Sequence, residues 1–278
     1  MAQLELRKYE AIGNDFLIVV DWHRTGRFDA EFAVALCERH RGVGADGLIR
    51  LSAPGRGGAA RLDLLNADGS SAPTSGNGLR CAVLCCRDEG LVDGDRFVVE
   101  TAAGDVPASL SAGTGKAPVV RVALGAVRVE ARATSPVRRR RAFAVDVGNP
   151  HLVLLGADLT DVDLAVLGPV LDGGVPGGQN VELVAARAGS DELSLVVWER
   201  GAGLTLACGS GSAAAAAAAH LAGLVGGSVV VHNPGGDLVV ELNSTPAGLE
   251  ATLVGSAARV ARVVVDTASL PGKRGRVA

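Results

Sequence analysis

No other stretch leaves this chain so few folds as Trp198 to Leu224, WERGAGLTLACGSGSAAAAAAAHLAGL. It reads as a strand, a tight glycine turn carrying one cysteine, and a helix. Ala213 to Ala219 is an uninterrupted run of the best helix former, and Gly209-Ser210-Gly211 falls where that helix would begin. The first N–H groups of a helix have no partner inside it and sit at the positive end of its dipole, so an anion belongs there. Cys208 lies just before those amides, which is expected to favour its thiolate, and its glycine neighbours let a ligand approach the backbone. A thiol beside a carboxylate-sized site suits proton transfer or nucleophilic attack.

The arrangement occurs twice. Thr74-Ser75-Gly76-Asn77-Gly78-Leu79-Arg80 precedes a second helix-like run, CAVLCCRDE, and Gly76 stands 133 positions before Gly209. Gly44 with Gly177 and Asn66 with Glu199 share that offset, and Gly13-Asn14 matches Gly148-Asn149 at 135. Matches in one order at one spacing indicate a duplicated domain. If the halves face each other across a pseudo-twofold axis, Ser75 and Cys208 meet on opposite faces of one bound molecule.

Length and composition bound the class. With 278 residues, 48% of them hydrophobic and only 3% aromatic, the chain can bury an aliphatic core in one large or two ordinary domains. Its 38 glycines suit short strands and turns better than a helical bundle. A formal net charge of −3 gives no general attraction for nucleic acid or an anionic membrane. No apolar run approaches the roughly 20 residues that span a bilayer, and MAQLELRKYEAIG lacks a signal-peptide core, so the expected location is cytoplasmic. Five cysteines without a pairing pattern fit a reducing compartment.

Along the chain, Leu4 to Asp21 reads as a strand pair broken at Gly13-Asn14, and Asp29 to His40 as a helix capped by Asp29. Gly42 to Leu51 is a glycine turn entering a strand, without the lysine and Ser/Thr of a phosphate loop. Arg61 to Ala67 is a strand ending near Asn66. Cys37, Cys81, Cys85 and Cys86 read as core, and no metal site is expected, since no second His or Cys pair accompanies Cys81 and Cys85. Phe97 to Glu130 carries further strands. Arg138 to Arg141 is the one strong charge run and is expected to be a solvated loop between domains. Ala142 to Leu155 reads as strand, turn and strand, Leu164 to Leu171 as a short helix, Ser228 to Leu242 as a hairpin around Asn233-Pro234-Gly235-Gly236, and Ala251 to Asp266 as one or two last strands. The tail LPGKRGRVA reads as a loose end.

Polar residues recur at corresponding places: Asn66, Asn149, Asn180, Glu199 and Arg200. Asparagine both donates and accepts, and arginine can grip a carboxylate with two parallel bonds. Such a set would hold an amino acid, Glu199 favouring its ammonium and Arg200 its carboxylate. A second carboxylate would sit on the helix starts at Gly76, Asn77, Gly209 and Ser210.

GNDFLIVVD, RGVGADGLI, NADGSSAPTSGNGLRC, GNPHLV, NVELV, ERGAGLTLACGSGSAAAA and PGGDLVVEL, in this order over nearly the whole chain, resemble the diaminopimelate epimerase family. The resemblance implies an α+β fold of two pseudo-symmetric domains, each a barrel-like, mainly antiparallel sheet round a central helix. The expected division is 1–120 and 121–264, with about 265–278 packing back on the first domain. It implies an isomerase of lysine biosynthesis that needs no cofactor, takes a small amino acid, and binds neither nucleic acid nor membrane; a homodimer fits the family, although no residue marks one. The family's two catalytic cysteines fall on Ser75 and Cys208, and its substrate-binding positions on Asn14, Asn66, Asn149, Asn180, Glu199, Arg200 and the helix-start amides of Gly76, Asn77, Gly209 and Ser210. His151 matches the histidine of GNPH.

The chain departs from the family pattern at Ser75, where a thiol is usual, and at Thr74, Gly47 and Leu204. Serine is a much weaker acid than cysteine, and loss of one placed acid or base costs roughly 10²–10⁴-fold. Three readings follow: a Cys-to-Ser form of an ordinary epimerase, a racemase or epimerase in which Ser75 relays a proton, or an elimination in which Cys208 removes the α-proton and a β-substituent leaves. A binding protein that keeps the pocket and lacks the chemistry is the non-enzymatic alternative.

Overall fold

The chain reverses first at Ile12-Gly13, both at positive φ, the conformation that two-residue hairpin turns require. That turn joins β1 (Gln3–Ala11) to β2 (Asn14–Val20), with Ala11 opposite Asn14. The computed structural model describes residues 3–113, 118–133, 135–268 and 270. In chain order there follow α1 (Ala30–Cys37), β3 (Gly47–Ser52), β4 (Ala60–Asn66), β5 (Ser71–Ala72), α2 (Gly76–Asp88), β6 (Arg96–Thr101), β7 (Gly104–Ser111) and β8 (Val119–Ala133). Then come β9 (Arg141–Asp146), β10 (Pro150–Gly156), α3 (Leu164–Asp172), β11 (Asn180–Ala186), β12 (Glu192–Glu199), β13 (Gly203–Thr205) and α4 (Gly209–Leu221). The chain ends with β14 (Ser228–Asn233), β15 (Gly236–Thr245), β16 (Gly248–Ser256) and β17 (Ala258–Asp266). The tail beyond Leu270 lies outside the described residues.

Contacts divide the chain into one unit of 1–120 with 256–278 and another of 121–255. In the first, β17 pairs with β1 and β1 with β2, both antiparallel; β2 runs parallel to β3, β3 antiparallel to β4, β4 parallel to β6, and β6 antiparallel to β7. The second repeats this order: β8, β9 and β10 antiparallel, β10 parallel to β11, β11 antiparallel to β12, β12 parallel to β14, then β15 and β16 antiparallel, with β16 returning to β8. Parallel neighbours cannot be joined by a hairpin and need a crossover. Each parallel pair accordingly has its helix: α1 and α2 in the first unit, α3 and α4 in the second.

The composition of α4 follows from its place. It packs against β9, β10, β11, β12, β14 and β15 of the closed second sheet, and Ala213 to Ala219 are all fully buried. An eight-stranded barrel leaves an interior that side chains alone can fill, and α4 takes its place there with side chains reduced to methyl groups over Ala213 to Ala219. In the first unit α2 is buried by larger residues, Leu79, Val83 and Leu84, and Cys81, Cys85 and Cys86 belong to that core. Burial first of all pushes the Cys85 thiol up to about 12, and Cys37 likewise, so these are packing residues.

The arginine run is not a solvated loop between domains. It lies inside the second unit, where only Arg138 and Arg139 are exposed. Arg140 is buried, donating to the Leu154 and Val184 carbonyls at 3.0 and 3.2 Å and to Asp158 and Asp161. Arg141 lies over the Phe143 ring. Backbone carbonyls and a carboxylate within reach turn one member of a charge run into a clamp, and a charge count cannot reveal them. Among the described residues no helix is long and apolar enough to cross a membrane.

Candidate active site

Ser75 is the N-cap of α2, extended at φ −147°, with Oγ accepting from the Gly78 amide at 3.1 Å. Serine there is ordinary helix capping. Behind it runs a polar chain: Arg80 donates to Asn77 Oδ1 at 2.9 Å, Asn77 to Asn14 Oδ1 at 3.2 Å, and Asn14 to Asp46 Oδ2 at 2.7 Å. The Ile12-Gly13 turn that delivers Asn14 puts a β-branched residue at φ 49°, a strain of about 1–3 kcal/mol that the flanking strand pairs hold. Asn66 stands apart from this chain, exposed at the end of β4 with its amide on Ser70 Oγ at 2.9 Å. Gly47 pairs with Asn66 and has no room for a side chain: a Cβ would meet Leu65 O at 3.0 Å and the Phe16 ring at 3.2 Å.

In the second unit Cys208 is the N-cap of α4, at φ −129°, with Sγ accepting from the Gly211 amide at 3.3 Å and 3.5 Å from Ser210 Oγ. The cap geometry of Ser75 is thus repeated. The expectation of a thiolate is overturned, because the thiol is buried. Burial first, then the negative charges of Glu199 and Glu182, push it well above its ordinary value; Ser210 and the Gly211 amide pull the other way and lose. The helix start does favour the anion, but two carboxylates face the same sulfur.

His151 is buried on β10, with Nδ1 2.6 Å from Glu182 Oε1 and Nε2 3.0 Å from Asn149 Oδ1. Asn180, beside it through the parallel β10–β11 register, places Nδ2 3.5 Å from Nε2 and accepts the Arg200 backbone amide at 2.9 Å. Asn149, His151 and Asn180 therefore form one cluster. Half-buried Glu199 accepts from Thr205, and burial raises its carboxyl in spite of that bond. The exposed Arg200 guanidinium donates to the Gly177 carbonyl at 2.8 Å. Gly209 and Ser210 form the first turn of α4, as Gly76 and Asn77 form that of α2.

Two residues at these helix starts escape sequence reading. Arg80 is fully buried inside α2, donating to the Gly76 and Ser256 carbonyls as well as to Asn77, and burial pulls its guanidinium down to about 10. Glu182 is fully buried in β11. The signal was a charge inside an otherwise apolar run, NVELV, opposite a histidine two strand positions away.

A family model described as diaminopimelate epimerase matches residues 6–130 and 143–260. The diaminopimelate epimerase of Pelotomaculum thermopropionicum is 36% identical over 259 residues, covering 86% of this chain and 91% of that protein. That of Desulforudis audaxviator is 38% identical over 257 residues, with the same coverage, 86% and 91%. Among solved structures, a PhzF-family phenazine biosynthesis protein of Bacillus anthracis matches with a TM-score of 0.76 at 15% identity, over 95% of this chain and 99% of that one. A hydroxyproline epimerase of Agrobacterium vitis matches with 0.73 at 16%, over 95% and 92%. Those two share this chain's mostly-sheet fold. Matched over most of its length, and more than a third identical to both enzymes, the chain belongs to the diaminopimelate epimerase family and is an isomerase of the epimerase and racemase kind.

Proposed function

We propose that the protein inverts the α-carbon of an amino acid, diaminopimelate or a close analogue, without a cofactor, by proton transfer between Cys208 and Ser75 on its two faces. The matching caps carry this reading: Oγ and Sγ each close on the third amide of a buried helix, at equivalent places of a duplicated strand order. Inversion needs a base on one face and an acid on the other. Cys208, once ionised, takes the α-proton and becomes the thiol. The Ser75 hydroxyl returns a proton to the opposite face, and its alkoxide is refilled from solvent. The negative charge that spreads into the substrate carboxylate meets the positive ends of α2 and α4 at Gly76, Asn77, Gly209 and Ser210. Asn14, Asn66, Asn149, His151, Asn180, Glu199 and Arg200 hold the remaining polar groups.

A hydroxyl is the weaker acid by far, so return from the Ser75 face is the slow step. In D₂O, deuterium should enter one epimer with retention faster than the epimer is inverted, as read by NMR and chiral chromatography. No α-exchange with diaminopimelate or any other candidate amino acid would sink the proposal. One thiol facing one hydroxyl also suits elimination, in which the α-proton passes to Cys208, the Cβ–X bond breaks, and the resulting enamine hydrolyses to a keto acid and ammonia. Keto acid released from β-substituted amino acids, without inversion, would select that second reading.

A further inference from the structure

Strand β11 carries Glu182 into the interior in the middle of Val181, Leu183 and Val184. A buried carboxylate is costly unless every oxygen is met. Oε1 is met by His151 Nδ1 at 2.6 Å, and Oε2 by no group among the described residues. The carboxylate lies under the first turn of α4, with Oε1 2.8 Å from where a Cβ on Gly211 would stand, and Gly211 is the residue whose amide caps Cys208.

The first unit repeats this frame without the charge. At the repeat offsets of 133 and 135 read in this chain, Glu182 corresponds to Ile49, His151 to Phe16 and Gly211 to Gly78. Ile49 Cδ1 lies 3.4 Å from the Cβ position of Gly78, so hydrocarbon fills the same place under the same turn. The fold therefore does not require a carboxylate there. We propose that Glu182 is a positioning residue of the proton transfer, holding His151 and the Cys208 turn in the arrangement that meets the α-carbon. This deepens the function proposed above and rests on it.

The imidazole is held at both nitrogens, Nδ1 against Glu182 Oε1 and Nε2 turned toward Asn149 and Asn180. His151 from β10, Glu182 from β11 and Glu199 from β12 form the titratable cluster around the thiol. Within it Glu182 does two things: it fixes the imidazole, and after burial and Glu199 its charge adds to what keeps the proton on sulfur.

Glu182→Gln keeps the shape, and Glu182→Ile installs the residue that the first unit uses. The first measurement is the rate of iodoacetamide labelling of Cys208 against pH, located by peptide mapping, with thermal melting as the folding control. The labelling profile should move to lower pH by roughly one unit in both variants. Compared at equal ionisation of Cys208, as the labelling profile reads it, Glu182→Gln should lower kcat for α-exchange about tenfold with KM changed less than twofold, a split that lost folding alone would not give. An unshifted profile in the variants that melt like the parent overturns the proposal. Labelling needs no substrate, so the two failures separate: a shifted profile in a protein that exchanges no α-proton defeats the epimerase reading while leaving the control of Cys208 by Glu182 standing. Normal exchange with an unshifted profile defeats only the role of Glu182.

Discussion

At the start of α2 the fully buried ionic group is a cation, Arg80, lying against the turn that carries Ser75; at the start of α4 it is an anion, Glu182, lying against the turn that carries Cys208. The backbones agree: both capping residues are extended, and both accept from the amide three residues on. The charges differ in the sense that chemistry would ask for. A hydroxyl is too weak an acid and gains from a nearby cation, whereas a thiol is far more acidic and is held protonated by nearby anions. In the proposed mechanism, each copy of one duplicated frame holds the charge that moves the acidity of its proton carrier toward that of the other.

Replacing the two carriers is the hardest test of that comparison. Cys208→Ala should cut α-hydrogen exchange by about 10³–10⁴-fold, the upper part of the range for one acid or base, and Ser75→Ala should cut inversion by about 10²-fold while sparing exchange at the thiol face. Equal losses in both assays would mean that the halves are not specialised. The same asymmetry fixes the pH dependence. Cys208 is raised well above its ordinary value, so the fraction of thiolate, and with it the exchange rate, should climb close to tenfold per pH unit from 6 through 9 without a plateau. A plateau below pH 8 would contradict the anionic setting.

Arg80 tests the other half. Arg80→Met would remove a buried side-chain donor from the Gly76 and Ser256 carbonyls and from Asn77 Oδ1. Stability measured by urea should fall by about 1–3 kcal/mol. A loss confined to activity would make Arg80 a substrate group instead of the clamp of its own helix start.

How much of this was legible from sequence depended on whether the signal was local. The turn at Gly13, the Asp29 cap, the alanine helix and the hairpin at Asn233 to Gly236 are short-range patterns, and the strands and helices fall there. The duplication showed because glycines that must turn or be approached recur at one offset. Glu182 did not show, because its partner His151 is 31 residues away and only the parallel β10–β11 register brings the two together. Arg140 was misread for the same reason, its partners being carbonyls of β10 and β11. The protonation of Cys208 was misread because the helix start is visible in the sequence while the carboxylates behind it are not.

The smallest effect isolates the comparison best, because it changes one methyl group in each half. Gly78 and Gly211 hold equivalent helical positions, and alanine favours a helix interior over glycine by about 1 kcal/mol at both. At Gly78 the added methyl meets the Ser75 Cβ at 3.3 Å and Ile49 Cδ1 and Ser75 Oγ at 3.4 Å, contacts that a small shift relieves. At Gly211 it meets Glu182 Oε1 at 2.8 Å and Cys208 Sγ at 3.3 Å, and the carboxylate is tied to His151 and cannot retreat without breaking that bond. Crowding of this kind costs about 1–3 kcal/mol and exceeds the gain in helix propensity. Gly78→Ala should therefore melt within a degree or two of the parent, and Gly211→Ala several degrees lower. In Gly211→Ala combined with Glu182→Ala the obstructing carboxylate is gone, so the added methyl should cost less than it does in the parent. A double variant as destabilised as the sum of the two single ones would mean that Gly211 is required for some reason other than the carboxylate beneath it.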